Sequence, residues 1–381
     1  MTGRHPMDKI LLMAVLVLLT IGCLMIYSAS AFWSAERNQD NYSAILLRHL
    51  MRVSLGLLIM VAVSRIDYHC YRSWAPVLLA VLAVLLVAVL FTPRFRGSSR
   101  AFSLPMGRFH PAEYMKLAMV LFLSSVLART PPTRDLMDRR LMVHYGILLG
   151  VTALVLVEPD LGTASVLFAA GMVLFFLAGT PGDRLAKMAL VVSPFVCIGM
   201  AVNGYQRARI LDFARSKAGL EPLPYQVKHS LIALANGGWF GLGYGEGRAK
   251  DLYLPEPFSD FILATLGEEF GFVGVCVLFG VVAVLLWRGT RIAVHAPDRF
   301  GFLAAAGITS LLLINALINA GVVLHLIPTT GLPFPFVSYG GSSLFVYMAG
   351  MGILLNISGQ AVPSFHQFTT ERGRIRWPEI R

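Results

Sequence analysis

Residues 259–274 read SDFILATLGEEFGFVG, and the fold turns on how this stretch is understood. An apolar run opens at Phe261 and continues to about residue 286, enough for a helix that needs about 20 residues to cross a bilayer. Asp260 stands at its mouth, and Glu268 and Glu269 lie inside it. At about 1.5 Å per residue, the two glutamates sit roughly 12 Å deep. Ionisable groups at such depth are costly, face the protein interior, and mark function or a fixed partner.

The rest of the chain agrees that the stretch is a span. Of 381 residues, 56% are hydrophobic and only 14% charged, and mean hydropathy is +0.68. A soluble chain of this length would carry more charge on its surface. Apolar runs at 10–30, 49–64, 74–92, 111–128, 141–157, 161–178, 185–203, 261–286, 301–324 and 341–358 predict ten transmembrane helices. The expected fold is an all-α polytopic membrane protein with one long outer loop, about 204–260, between spans seven and eight. EPDLG, with Pro159, divides the fifth span from the sixth as a tight turn. Residues 1–360 form a single transmembrane domain, and 361–381 a basic tail.

An even number of spans puts both termini on one side. RIDYHCYR, RTPPTRDLMDRR, GTPGDRLAK, WRGTRIAVHAPDR and the tail ERGRIRWPEIR share that side and are rich in Arg and Lys. By the positive-inside rule it is cytoplasmic. The same rule accounts for the net charge of +11 without nucleic acid as a partner. Cys23, Cys70, Cys197 and Cys276 lie in or beside apolar runs with no CxxC pair, so they form neither a disulfide framework nor a zinc site. The first apolar run lacks a small-residue cleavage site and reads as a retained span.

The unusual polar residues then gather at the outer face. Arg94, Arg96, Arg100 and Arg108 break the charge rule in the outer loop TPRFRGSSRAFSLPMGRF. They are either headgroup anchors or phosphate ligands, a task that suits guanidinium. Glu113 and Lys116 open the fourth span three residues apart, on one helical face, where they can pair. Asp160 lies in the turn between spans five and six, where it can also cap the sixth. Asp260 begins the eighth span, where it is either an N-cap or a reactive group. Ser338 and Ser342, in GLPFPFVSYGGSS, begin the tenth. Groups of opposite sign converging from distant segments are the default mark of a site. Glu268 and Glu269 read as structural support for the helix that carries Asp260. In the long loop, residues 225–235 form a possible amphipathic helix. GGWFGLGYGEG follows no strand and lacks a Walker Lys-Ser pair. It reads as tight turns on the membrane face rather than a nucleotide loop.

The motifs HPAEYMKLAM, EPDLGT, PYQVKHSLIALANGGWFGLG, YLPEPFSDFILATLGEEFG and PTTGLPFPFVSYGGSS, in this order, resemble the SEDS family (shape, elongation, division and sporulation). PYQVKHS, NGGWFGLG and GEEFG are more similar to its FtsW branch than to its RodA branch. The resemblance runs from about Leu11 to Gly359. It implies ten spans and a peptidoglycan glycosyltransferase that polymerises lipid II at the outer face of the bacterial inner membrane, at the division septum. It implies lipid II and the lipid-linked glycan strand as ligands, with a class B penicillin-binding protein transpeptidase and other divisome proteins as partners. Asp260 matches the family's essential aspartate, Glu113 and Lys116 its fourth-span pair, and Asp160 its PDLGT aspartate. Arg96, Ala101 and His110 stand where family members often have Asn, Trp and Gln.

Joining two lipid-linked sugars needs a base for the attacking hydroxyl and positive charge for the departing pyrophosphate. Asp260 is the candidate base. Arg100 and Lys116 are candidates for the pyrophosphate. Glu113, Asp160, Ser338 and Ser342 complete the expected binding set. A divalent cation, Mg or Mn, can share the charge with Asp160 or Asp260 as an oxygen ligand, although the sequence has no dedicated metal motif. A lipid II flippase would need a polar path through the bilayer, whereas the inner halves of most spans are apolar. A scaffold for division proteins would not need the charged cavity.

Overall fold

The computed structural model describes residues 7–37, 43–92, 100–104, 107–129, 139–190, 204–248, 257–360, 370–371 and 374–375. Its described membrane spans are helical. In lipid, a helix closes its own backbone hydrogen bonds, and no open irregular segment can do so. The helices are α1 (Lys9–Arg37), α2 (Ala44–Arg65), α3 (Tyr68–Leu90), α4 (Pro111–Leu127), α5 (Arg139–Val157) and α6 (Leu161–Leu177). Then come α7, whose described residues are 182–190, α8 (Gly204–Lys217), α9 (Tyr225–Gly237), α10 (Ile262–Val294), α11 (Arg299–Val323) and α12 (Gly341–Ser358). A short hairpin, β1 (Phe102–Leu104) and β2 (Gly107–Phe109), precedes α4.

Among the described residues, seven helices are long and apolar enough to cross a membrane: α1, α2, α3, α5, α10, α11 and α12. α6 is apolar but shorter, and α4 has 17 residues. Most of the expected seventh span, 191–203, lies outside the described residues, as do Arg94 and Arg96. α12 is 83% buried over its apolar window, against 28% for α2, α3 and α5. The centre of the bundle is therefore α12 with α4 and α11. α3 presents Trp74, Val77, Val81 and Val84 outward, as a lipid-facing surface should.

Polar contacts define two ends. At one, the Asp8 amide donates to Ser358 Oγ (3.2 Å), and Arg288 Nε donates to Asp8 (2.8 Å). There Asn356 bridges the Ser64 carbonyl and the Tyr68 amide, and Tyr68 OH donates to Asp298. The start of α1 and the end of α12 thus share an end. The opposite end gathers the N-termini of α4, α6, α10 and α12.

The 204–260 segment is more structured than the sequence indicates. It contains α8, which the sequence reading did not anticipate, and α9, which it did. α9 buries Val227 and Ala233, and its Ser230 hydroxyl donates to the Val323 carbonyl. On α8, Arg209 donates to the Thr329 carbonyl (3.0 Å). α10 is broken at Gly271 (φ 65°, ψ −165°). Leu242 and Gly243 donate to the carbonyls of Glu268 and Glu269, and Phe272 and Val273 donate to the carbonyls of Gly238 and Trp239. In an unbroken helix, the amides of 272 and 273 would have served those same two carbonyls. Helix and glycine loop therefore exchange partners across the break. The glycines are tight turns, as expected, but they pack backbone to backbone on α10.

Candidate active site

Residues 325–340 run between α11 and α12 as an extended strap through the end where the polar residues meet. Phe334, Phe336 and Val337 are buried. Asn315 and Asn319, one turn apart on α11, hold the strap: Asn315 donates to the Pro333 carbonyl (2.7 Å), and Asn319 to the Leu332 carbonyl (2.7 Å). Asn319 also donates to the Asp260 carbonyl (2.8 Å). One side chain thus fixes the strap against the backbone of Asp260.

Asp260 is half-buried. Ser259 Oγ donates to its Oδ1 (3.0 Å). Its Oδ2 faces Gly331, 3.5 Å from the position a Cβ would take there. The N-cap of α10 is Phe261, with no side-chain capping bond, so Asp260 is not the cap of its helix. Glu268 and Glu269, further along the same arm of α10, are buried. Glu269 accepts a hydrogen bond from Ser28 on α1. Glu269 is thereby tied to α1, and the carbonyls of both glutamates to the glycine loop.

Glu113 and Lys116 form the expected pair. Lys116 Nζ lies 2.8 Å from Glu113 Oε2, with the lysine side chain fully enclosed. The contact is off the axis of a good hydrogen bond and is chiefly electrostatic. The ammonium also stands 5.7 Å from the Tyr347 ring centroid. Asp160 caps α6, accepting from the Thr163 amide (3.0 Å). The first turn of α6 abuts the strap, since a Cβ on Gly162 would meet Leu332 and Thr330.

Arg100 does not project freely toward a ligand. Nε donates to the Glu158 carbonyl (3.0 Å), and the guanidinium also donates to the Pro159 carbonyl. It clamps the turn that presents Asp160. Beside it, the Glu158 carboxylate is fully buried, and burial, reinforced by Asp160, pushes its pKa up to about 8 against the pull of Arg100. His110 lies within electrostatic reach of Glu113, Asp160, Arg108 and Arg100, and burial lowers its pKa.

Both serines bond to nearby backbone. Ser338 Oγ accepts from the Phe334 amide (2.7 Å), closing the strap on itself. Ser342 Oγ donates to the Arg108 carbonyl (3.1 Å) and accepts from the His110 amide (3.2 Å). Both hydroxyls thus hold backbone beside the strap. Among the described residues, no three His, Cys, Asp or Glu side chains come together as a cation cage.

Sequence reading missed Asn315, Asn319, Glu158 and Tyr347. The asparagines left a signal: two amides four residues apart in an otherwise apolar span must both face the interior.

The family model described as cell cycle protein, covering FtsW, RodA and SpoVE, matches residues 9–362. The chain is 38% identical over 362 residues to stage V sporulation protein E of Bacillus subtilis, covering 94% of this chain and 98% of that one. It is 37% identical over 354 residues to the probable peptidoglycan glycosyltransferase FtsW of Trichlorobacter lovleyi, covering 92% and 93%. To the peptidoglycan glycosyltransferase MrdB of Escherichia coli it is 34% identical over 351 residues, covering 90% and 92%. It superposes with a TM-score of 0.75 and 26% identity on a chain of a peptidoglycan synthase complex that coordinates polymerization and crosslinking, covering 92% and 97%. For RodA of Thermus thermophilus the TM-score is 0.68 at 27% identity, with 92% and 96% covered. The chain belongs to the FtsW, RodA and SpoVE family of cell cycle proteins.

Proposed function

We propose that this multi-pass membrane protein is a peptidoglycan glycosyltransferase that polymerises lipid II at the outer face of the bacterial inner membrane. It crosses the membrane ten times, with both termini cytoplasmic, and works in cell division at the septum beside a class B penicillin-binding protein and other divisome proteins. Asp260 takes the proton of an acceptor sugar hydroxyl. That oxygen attacks the anomeric carbon of a second lipid-linked sugar, and the lipid diphosphate leaves with the bonding electrons. Lys116, balanced by Glu113, supplies positive potential near the leaving group. Arg100 and Asp160 hold the α5–α6 turn that walls the site.

The observation that carries this reading is the setting of Asp260. Its carboxylate is half-buried, is not used as a helix cap, and faces the strap at the end that also gathers Glu113, Lys116, Arg100 and Asp160. Confinement of these groups to one end favours an enzyme over a flippase, which would line a path to the other end.

Purified protein given fluorescent lipid II should make glycan polymer, and Asp260→Asn should abolish it with folding intact. Near-normal polymer from Asp260→Asn would end the assignment of the base. Movement of lipid II between leaflets without polymer would favour the flippase.

A further inference from the structure

The outer half of α2 contains a cationic group that the mechanism above does not use. Arg52 lies eight residues inside the helix, about 12 Å from its start. Its guanidinium stacks over the Tyr339 ring, 4.6 Å from the centroid. Among the described residues no carboxylate pairs with it. One turn earlier, His49 is fully buried beside the same ring, with centroids 5.9 Å apart. Neither of its ring nitrogens has a hydrogen-bond partner among the described residues. A cation and an unsatisfied donor at this depth are costly unless something anionic or accepting meets them.

The neighbouring backbone suits an anion. Tyr339 leads directly into α12, whose N-cap, Gly340, makes no side-chain capping bond, and whose first turn has no acidic residue. The amides of that turn and the helix dipole both favour negative charge. Gly341 opens the helix against Arg52: a Cβ there would stand 3.4 Å from Nε and 3.8 Å from Cζ. A guanidinium, a buried imidazole and an uncapped helix start therefore meet at one place.

That place is joined to the proposed base. The Tyr339 amide donates to the Phe258 carbonyl (2.9 Å), and the two rings pack edge to face at 5.5 Å. Phe258 is two residues before Asp260. Polymerisation must hold two lipid diphosphates, one on each reacting chain, and the Lys116 side of the site accounts for one.

We propose that Arg52, His49 and the N-terminus of α12 form a second anion site, which holds the diphosphate of a polyprenyl-linked substrate next to Asp260. This rests on the glycosyltransferase reading. The same phosphate chemistry is present in ordinary phospholipid headgroups, and the test separates the two sources.

The probe is sugar-free undecaprenyl diphosphate, with binding measured on the full chain in phosphatidylcholine nanodiscs. Arg52→Ala should weaken binding at least tenfold. Gly341→Ala, which keeps every charge but pushes a methyl group toward the guanidinium, should weaken it several-fold. Arg52→Lys should retain part, since an ammonium lacks the planar fork. Thermal unfolding checks that each variant is folded, and the lysine and alanine series keeps the test open if Arg52→Ala is not. Exchanging phosphatidylcholine for phosphatidylglycerol should leave the affinity within about threefold. Unchanged binding in folded Arg52→Ala would overturn the proposal. Loss of diphosphate binding in phosphatidylglycerol would also overturn it, by making the site one for headgroups. Wild-type protein that binds the probe through Arg52 yet never polymerises lipid II would instead refute the glycosyltransferase reading alone.

Discussion

Gly241→Ala tests the exchange of backbone partners at the broken turn of α10. An added Cβ at Gly241 would sit 2.2 Å from the Glu269 carbonyl oxygen and 2.4 Å from its carbon. Both are backbone atoms of a helix, so the loop must lift away. Four hydrogen bonds cross this junction. At about 0.5–1.5 kcal/mol net each, losing them costs roughly 2–6 kcal/mol. Gly241 also has φ +82°, which adds about 1–2 kcal/mol for any residue with a Cβ. Gly245 is the internal control: its φ is +83°, and nothing lies within 4 Å of an added Cβ. Gly245→Ala therefore bears the conformational strain without the collision. Unfolding of the purified protein in detergent should show Gly241→Ala weaker than Gly245→Ala by about 2–6 kcal/mol. Hydrogen exchange at Phe272 and Val273 should accelerate in the first variant only. Polymerisation should fall with it, because the arm of α10 that the loop grips begins beside Asp260. Equal stability of the two variants, with protected amides at 272 and 273, would refute the reasoning.

Glu113→Gln leaves the Lys116 ammonium enclosed without its counter-charge and should destabilise the protein by about 3–5 kcal/mol. Adding Lys116→Met should restore thermal stability but not polymerisation, and recovery of both would make the pair purely structural. Arg100→Ala removes charge-assisted bonds to two carbonyls of the α5–α6 turn. It should loosen that turn by roughly 1.5–3 kcal/mol and lower polymer yield at least tenfold, with partial rescue by lysine. Burial raises the pKa of Glu158 from the ordinary 4.5 to about 8, so between these values the folded state holds a proton that the unfolded state gives up. Its contribution to stability is full below pH 4.5 and declines as pH rises through 8. Glu158→Gln should flatten that decline in pH-dependent unfolding. On a cysteine-free background, cysteines at positions 215 and 248 should label in intact cells, whereas one at 134 should require permeabilisation. The reverse pattern would place the site in the cytoplasm.

The spans were legible because lipid demands apolar length, a signal that every residue of a helix repeats. Their ends were less so. α2 begins at Ala44 rather than near His49, and α10 runs to Val294, because single polar residues near a helix end interrupt the pattern without ending the helix. Charge at the end that gathers the N-termini of α4, α6, α10 and α12 was also legible, since Glu113, Lys116, Asp160 and Asp260 are conspicuous among apolar neighbours. What sequence could not give was direction. Arg100 grips two carbonyls, Ser338 accepts from the Phe334 amide, and Ser342 bridges the backbone of Arg108 and His110. A donor's partner depends on which carbonyl another segment brings near, and no local pattern encodes that. The break at Gly271 was hidden for the same reason. A glycine in an apolar helix is common, and its exceptional φ is decided by a loop some 30 residues earlier.

The strap has a consequence for how the protein is made. It lies beyond residue 325, close to the end of the chain. Yet it contacts the Phe258 carbonyl, the start of α6 and Arg209 of α8, and Ser342, just beyond it on α12, reaches the hairpin before α4. During synthesis, these segments enter the membrane well before the residues that join them exist. Lys116 waits for Tyr347 and Asp160 for the wall formed by Leu332, while Arg52 has no Tyr339 to lie against. The end that carries the candidate site is therefore assembled last, and a chain truncated before about residue 340 should insert most of its spans without gaining activity.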